Sequence, residues 1–353
     1  MKILKKEKML SVLSPLMIVG IALAFISILL LVVGANPGKV LLSLLKGAFG
    51  SKRGVISTLQ KSVPICLSAF AVALAKKAGI FNIGVEGQLI FGALGSVTAG
   101  IFLKGLPAVV HVPVALLSGV VFGMLYSFIP AMTYVKRQVN LLVVFIMMNN
   151  LSKLFCTYTV VALIRDPKSV TSATLPIEKT AYLPNLLTSP GKLNIGILIL
   201  AVIGILIYIF FYKTVHGYEL TACGLNREAA AYSGIKTKRY ILGALVLGGA
   251  LAGLAGAIEV QGTYYRVYDG FSPGYGFDGI PIALLCNNNP LAMFIGSILF
   301  AALRVGSNTM QIEHGVSTEI VSVIQGILVT LIACEGIIRH LAGKLVRTKK
   351  EVA

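Results

Sequence analysis

Residues 79–92 place polar side chains inside an otherwise apolar stretch, where they can contact a solute. The stretch reads GIFNIGVEGQLIFG, and its polar side chains are Asn82, Glu86 and Gln88. A carboxylate at bilayer depth is costly unless it faces protein or water, and glycine weakens a helix. We therefore predict a helix interrupted near residues 82–87 that lines a pathway. The alternative is an ordinary helix start with Glu86 near the lipid headgroups.

A second broken stretch covers residues 270–290 and reads GFSPGYGFDGIPIALLCNNNP. Four glycines and three prolines leave only a short apolar core, with Asp278 near one end and Asn287 near the other. This pattern predicts a short or re-entrant segment that lines a cavity. A plain loop followed by an ordinary helix is the alternative.

Further polar or aromatic groups lie in other apolar runs. Asn149 and Asn150 follow two methionines, and helix-to-helix hydrogen bonding explains many such residues. Aromatic residues cluster between Tyr264 and Phe277, as an interfacial belt or as a vestibule that stacks a planar ligand. The candidate pathway residues are Asn82, Glu86, Gln88, Asn149, Asn150, Tyr264, Asp278 and Asn287.

Enzyme and metal signatures are absent from the sequence. The four histidines have no partner four residues away, the five cysteines show no metal-binding spacing, and no Ser-His-Asp arrangement can be argued. No GxxxxGK motif occurs. We therefore expect no catalytic residue, no metal and no cofactor on this chain, so that any ATP must be used by another chain.

The composition shows what kind of elements must position these residues. The chain has 353 residues, of which 56% are hydrophobic and 12% charged, and its mean hydropathy is +0.88. A soluble domain carries about 25% charged residues, so lipid must replace water around this protein. Soluble enzymes, disordered chains and disulfide scaffolds are excluded. The net charge of +18 lies at the ends of apolar runs, which indicates membrane topology and not a nucleic-acid partner.

The apolar runs predict an all-α, polytopic bundle with about ten membrane segments, some of them interrupted or re-entrant. Lys and Arg are more frequent on one side, which predicts that both termini are cytoplasmic, residues 165–193 outside and residues 213–240 inside. We treat 1–353 as one transmembrane domain, with 1–55 as an extra N-terminal helix and outside loop. The predicted segments are 14–34, 57–75, 83–103, 109–133, 141–164, 195–212, 241–260, 278–288, 291–310 and 316–338.

Two local patterns predict packing and docking. Glycines 248, 249, 253 and 256 allow another helix to approach closely. In the inside loop, Asn226 is a candidate N-cap, residues 227–232 a short helix and Gly234 its stop. Such a helix suits a groove on a partner protein, although an ordinary connecting loop is equally open.

The inside loop also carries a family resemblance. Residues 217–235, GYELTACGLNREAAAYSGI, resemble the coupling-helix loop of ATP-binding cassette importer permeases of the branched-chain amino acid and ribose type. Residues 79–93 resemble the nucleoside, or simple-sugar, subgroup, and residues 276–290 extend the likeness. It covers most of the chain from about residue 55. The length and the extra N-terminal span resemble the longer of two permeases in a heterodimer.

The resemblance implies a transport subunit and not an enzyme. It implies a bacterial plasma-membrane importer in which this chain and a second permease form a nucleoside pathway. An extracellular substrate-binding lipoprotein would deliver the solute, and a cytoplasmic ATPase with two nucleotide-binding halves would bind ATP and Mg²⁺. Thr221 and Arg227 depart from the family pattern. The residues carried over to ATPase coupling are Gly224, Leu225, Asn226, Ala229, Ala230 and Gly234.

Three other functions are weighed against this one. A ribose or simple-sugar permease would use the same architecture. An ion-coupled secondary transporter would need a coupling carboxylate, for which Glu86, Asp278 or Glu259 is available. A membrane enzyme acting on lipid lacks a catalytic constellation. The pathway residues are polar without paired carboxylates, which favours an uncharged solute and power supplied by a partner.

Overall fold

The fold is known from a computed structural model that describes residues 24, 25, 27–32 and 34–333. The predicted run at 14–34 lies mostly outside these residues. π-Helical turns at Thr159–Leu163 and Val260–Tyr264 extend the two helices that end at Tyr158 and Glu259. The helices are α1 (Pro37–Phe49), α2 (Lys52–Lys77), α3 (Val85–Phe102), α4 (Ala108–Arg137), α5 (Leu141–Tyr158), α6 (Gly196–Lys213), α7 (Val215–Leu225), α8 (Arg227–Tyr232), α9 (Thr237–Glu259), α10 (Tyr275–Leu285), α11 (Pro290–His314) and α12 (Glu319–Ala333).

Among the described residues, seven helices are long and apolar enough to cross a bilayer. They are α2, α3, α4, α5 with its π-turn, α6, α9 with its π-turn, and α11. Helix α10 is apolar but has only 11 residues, as the broken stretch predicted. The described part of α12 has 15 residues. The polytopic helical class is confirmed.

The fold is mostly helical, as predicted, and the described residues contain one small sheet in addition. The loop at 165–193 contains a 3-10 turn, Lys179–Ala181, and leads into a two-stranded antiparallel sheet of β1 (Asn185–Leu187) and β2 (Leu193–Asn194). The intervening residues are Thr, Ser, Pro, Gly and Lys, which favour a turn over a helix.

The chain divides into two compact units. The first contains the described residues up to 55 together with residues 302–333, and it has its own small core around Leu44, Met310 and Val321. In this unit Asn36 caps α1 by accepting a hydrogen bond from the backbone N–H of Lys39 at 3.3 Å. The second unit, Ile56–Ala301, has a larger core and holds the candidate site.

Helices α3, α4 and α9 form the centre of the second unit. A Cβ at Gly253 would lie 3.0 Å from the Cα of Gly123 and would clash with the carbonyl of Gly119, and one at Gly92 would clash with the backbone of Gly253. Only glycine lets the three backbones meet in this way. The close approach predicted from the glycine run is confirmed.

Candidate functional site

The first broken stretch is a gap between two helices. Helix α2 ends at Lys77 and α3 begins at Val85, so residues 78–84 are not helical. The predicted break at 82–87 is therefore displaced: Asn82 lies in the gap, but Glu86 and Gln88 already belong to the first turn of α3. The physical reason is local, because the Asn82 side chain accepts from Gly84 N–H at 2.9 Å and the Gly84 carbonyl accepts from Gln88 N–H at 3.1 Å.

A buried hydrogen-bond network starts at Asn82. Its side-chain amide donates to Gln88 Oε1 at 3.3 Å, and Gln88 Nε2 donates to Ser127 Oγ at 3.1 Å. Ser127 in turn donates to the carbonyl of Leu245 at 2.6 Å. Asn82, Gln88 and Ser127 are at most 1% exposed. The network joins the gap, α3, α4 and α9 and has its hydrogen bonds made internally, which is typical of a rigidifying element.

Asn149 spans the gap from the neighbouring helix α5. Its side-chain oxygen accepts from Gly87 N–H and its side-chain nitrogen donates to the carbonyl of Ile83, both at 3.0 Å. It therefore satisfies one backbone group on each side of the helix start. The adjacent Asn150 is exposed. The structure thus gives the two asparagines different positions, one bracing the backbone and one on the surface of the chain.

The second broken stretch meets the first. The Glu86 carboxylate, on a side chain 1% exposed, accepts from Gly276 N–H at 2.8 Å. A Cβ at Gly276 would clash with the backbone of Glu86, so the two helix starts touch through a glycine. Asp278, in the same first turn of α10, is also buried. Residues 190 positions apart in sequence are thereby brought together.

Tyr264 and Asn287 occupy other places. Tyr264 is half-buried, with its ring centroid 5.6 Å from that of Phe271. Asn287 is exposed, has a φ of 48° and lies just after α10, about 17 Å along the helix from Gly276. The asparagine run ends α10 and starts α11, because Asn289 accepts from Leu291 N–H at 3.0 Å. Asn287 thus lies at the opposite end of α10 from Glu86.

Lys153 is the residue that sequence reasoning missed. It is exposed on α5, and its Nζ lies 5.9 Å from the ring centroid of Phe277. It also interacts electrostatically with Glu86. The available signal was a lysine inside an apolar run, three residues after Asn150, which places both on one helical face.

The 213–240 loop is mostly helical. The predicted short helix is confirmed as α8, whose cap Asn226 accepts from the N–H groups of Glu228 and Ala229, each at 3.0 Å. Gly234 ends this segment with a φ of 83°. Helix α7, which precedes it, was not predicted. Burial raises the pKa of the Cys223 thiol in α7, so this cysteine stays a neutral packing group.

This loop packs directly on the gap between α2 and α3. A Cβ at Gly224 would clash with the carbonyl of Lys77, and one at Gly79 would lie 3.0 Å from Gly224. Arg227 donates to the carbonyl of Gly79 at 3.3 Å and to the Tyr134 hydroxyl at 2.6 Å. Arg227, one of the two residues that depart from the family pattern, therefore joins the loop to the gap that holds Asn82.

The loop presents an apolar surface. Leu225 is 84% and Tyr232 fully exposed, and Ala229 is exposed as well. A groove of about 460 Å³ lies between α7 and α8, with Tyr218 and Ala229 among its lining residues. Ala230 is buried, so this predicted coupling residue packs within the chain. Tyr232 is more exposed than Ala230, and it is not among the coupling residues that the sequence predicted.

No group of three or more His, Cys, Asp or Glu side chains in the described part of the chain is arranged to hold a metal ion. Glu86 and Asp278 are the carboxylates of the site, and the Glu86 carboxylate accepts a hydrogen bond from the backbone N–H of Gly276. The arrangement is suited to holding two helix starts together beside an exposed polar face of α5.

Comparison with known proteins identifies close relatives over most of the chain. The family described as branched-chain amino acid transport system / permease component matches residues 54–333. The guanosine ABC transporter permease protein NupP of Bacillus subtilis is 34% identical over 94% of this chain and 95% of that protein. The nucleoside ABC transporter permease protein NupB of Lactococcus lactis is 31% identical, over 94% and 93%. The glucose ABC transporter permease protein TsgB13 of Haloferax volcanii is 32% identical, over 94% and 89%. No solved structure matches.

Proposed function

The chain belongs to the family of permease components of branched-chain amino acid transport systems, and we propose that it forms, with a second permease, the nucleoside pathway of an ATP-binding cassette importer. It is a multi-pass membrane protein and a transport subunit, not an enzyme. The observation that carries the proposal is the contact between the 213–240 loop and the gap, because it joins a docking surface to the polar centre of the chain.

The docking surface supports an ATPase partner on the cytoplasmic side. Leu225, at the end of α7, and Tyr232, at the end of α8, are exposed, and a short helix with exposed apolar side chains at its ends fits a groove on a soluble protein. Many Lys and Arg residues of the chain lie in this loop and in the terminal segments, which supports placing the loop and both termini in the cytoplasm. In this arrangement ATP and Mg²⁺ bind to a partner ATPase with two nucleotide-binding halves.

Movement of this loop would reach the centre of the chain by direct contact. Gly224 and Arg227 touch the gap at Gly79, and the gap continues to Asn82 and the helix start braced by Asn149. A displacement of α8 by the partner would therefore shift residues 78–84 against α5 and α10. This contact chain is how ATP use on one protein would open a pathway in another.

A second permease and a lipoprotein complete the proposal. Asn150 and Lys153 are exposed on a helix that crosses the membrane, which a second protein surface would cover. An extracellular substrate-binding lipoprotein would deliver the solute on the side of the 165–193 loop.

The proposed solute class is the nucleosides. Two relatives carry guanosine or nucleoside in their names, which favours nucleosides as the solute of this member of the family. Glucose is the second candidate, because a third relative of similar identity carries it in its name.

Uptake measurements test the proposal. We expect cells whose only nucleoside importer contains this chain to take up labelled guanosine, and unlabelled uridine or adenosine to compete while ribose and glucose do not. Depleting ATP should abolish uptake, and an uncoupler that leaves ATP high should not. Uptake that follows the ion gradient would instead support a secondary transporter, and competition by glucose alone would support a sugar permease.

A substitution tests the coupling surface separately. We expect Tyr232→Asp to reduce uptake by more than about tenfold, since a charge in an apolar interface is disfavoured, while Tyr232→Phe retains it. Both variants should insert at wild-type levels because the side chain is fully exposed. Wild-type uptake by Tyr232→Asp would contradict docking through α8.

A further inference from the structure

Lys153 lies at an unusual depth for an exposed lysine. The span that contains it runs from Leu141 to Leu163, so Lys153 is about 18 Å from one end and about 15 Å from the other. The hydrocarbon core of a bilayer is about 30 Å thick, which places Lys153 near its middle. Its four-carbon stem is much shorter than half of that thickness, so the ammonium cannot reach either membrane surface. A lysine here must face protein or water.

The two exposed flanks of α5 differ in character. Asn150, Lys153 and Thr157 are spaced by three and four residues and share one face, which we call the polar flank; the exposed Ile146 lies on the same face one turn before Asn150. Met147 and Leu151, 67% and 53% exposed, lie on the other flank. An apolar flank fits lipid, and the polar flank does not.

The polar flank continues onto the second broken stretch. Thr157 donates to Asp269, the residue just before this stretch, at 2.6 Å, and Lys153 lies over the ring of Phe277, which is itself 39% exposed. The buried Glu86 carboxyl group also interacts electrostatically with Lys153. The polar flank and the second broken stretch thus form one continuous surface that is rich in hydrogen-bonding groups.

We propose that the polar flank lines a water-filled pathway and that Lys153 contacts the solute by donating hydrogen bonds to its carbonyl or hydroxyl oxygens. Lysine supplies three donors and no acceptor, and Asn150 supplies both, so the polar flank fits solutes rich in acceptor oxygens, such as the nucleosides of the proposed function. This inference rests on the proposed function, because a second permease must close the pathway.

Thiol labelling tests the pathway without reference to the solute. In the assembled importer in membranes, with the five native cysteines replaced by serine, we compare Lys153→Cys and Asn150→Cys with Leu151→Cys. A charged methanethiosulfonate reagent needs a hydrated thiolate. We expect both polar-flank cysteines to react on the order of 100-fold faster than the one at position 151. Equal, slow reaction at positions 151 and 153 would overturn the inference.

Transport tests the solute contact. We expect Lys153→Met to lower guanosine uptake by at least about tenfold, the loss of one charge-assisted hydrogen bond, and Lys153→Arg to retain most of it. Both variants should assemble at wild-type levels. Wild-type uptake by Lys153→Met would overturn the contact.

The two proposals fail in different ways. If the wild-type importer moves no nucleoside but Lys153→Cys is labelled rapidly, the nucleoside proposal fails and the hydrated polar flank stands. If the wild type imports guanosine and Lys153→Cys is not labelled, the present inference fails alone.

Discussion

Asn149 provides the sharpest test of how the helix start at Val85 is held. Its side chain bonds Gly87 N–H and the Ile83 carbonyl, each at 3.0 Å, and is 5% exposed. Asn149→Ala removes both bonds and leaves two backbone groups without these partners. The neighbouring Asn150 is exposed on the same helix, so Asn150→Ala is a matched control for the loss of an asparagine.

The size of the effect follows from the environment. Hydrogen bonds between membrane helices average about 0.6 kcal/mol and reach about 1.7 kcal/mol, and an orphaned buried group costs about 1–3 kcal/mol. We therefore expect Asn149→Ala to lower the free energy of unfolding by about 2–4 kcal/mol, and Asn150→Ala to change it by less than about 0.5 kcal/mol.

Denaturant unfolding of the purified importer in lipid bicelles measures the difference in free energy of unfolding between the two variants. The comparison holds when this free energy depends on denaturant concentration with the same slope in both. If the two alanine variants unfold with the same free energy, the bracing role is refuted. A loss confined to uptake, with unchanged stability, would also count against it, because the two lost hydrogen bonds must lower the stability of the fold first.

Two more substitutions test local features. Asn226→Ala removes the cap of α8, so it should destabilise that helix by about 1 kcal/mol and reduce uptake about fivefold. Asn226→Asp keeps the side-chain acceptor and should keep most of the uptake. Equal uptake by the two variants would show that the cap is dispensable. Gly253→Val places side-chain atoms against the backbone of α4 and should lower the free energy of unfolding by at least about 3 kcal/mol, measured as a loss of assembled protein. Gly243 has open space around it, so Gly243→Val should assemble normally. Normal assembly of both variants would contradict the close approach.

Local sequence features decided much of what could be predicted. The polytopic helical class follows from composition, because so few charged residues cannot cover a soluble surface of this size. The short helix α8 follows from Asn226 and Gly234, since a cap and a stop act within three or four residues. The glycine run on α9 predicted a close helix contact, but it did not indicate which helices would take part.

The tertiary structure decided which polar residues meet. Asn149 and Ile83 are 66 positions apart, Arg227 and Gly79 are 148 apart, and Glu86 and Gly276 are 190 apart, and no local pattern encodes such pairs. It also separated Asn149 from Asn150 and buried Ala230, because burial depends on which helix packs on which face. The sequence by itself determined that the chain is a helical membrane protein with two broken stretches, since hydropathy and helix propensity are properties of neighbouring residues. Only the three-dimensional packing joined those stretches, set the 213–240 loop against one of them and left Lys153 exposed, because such contacts depend on the relative placement of distant helices.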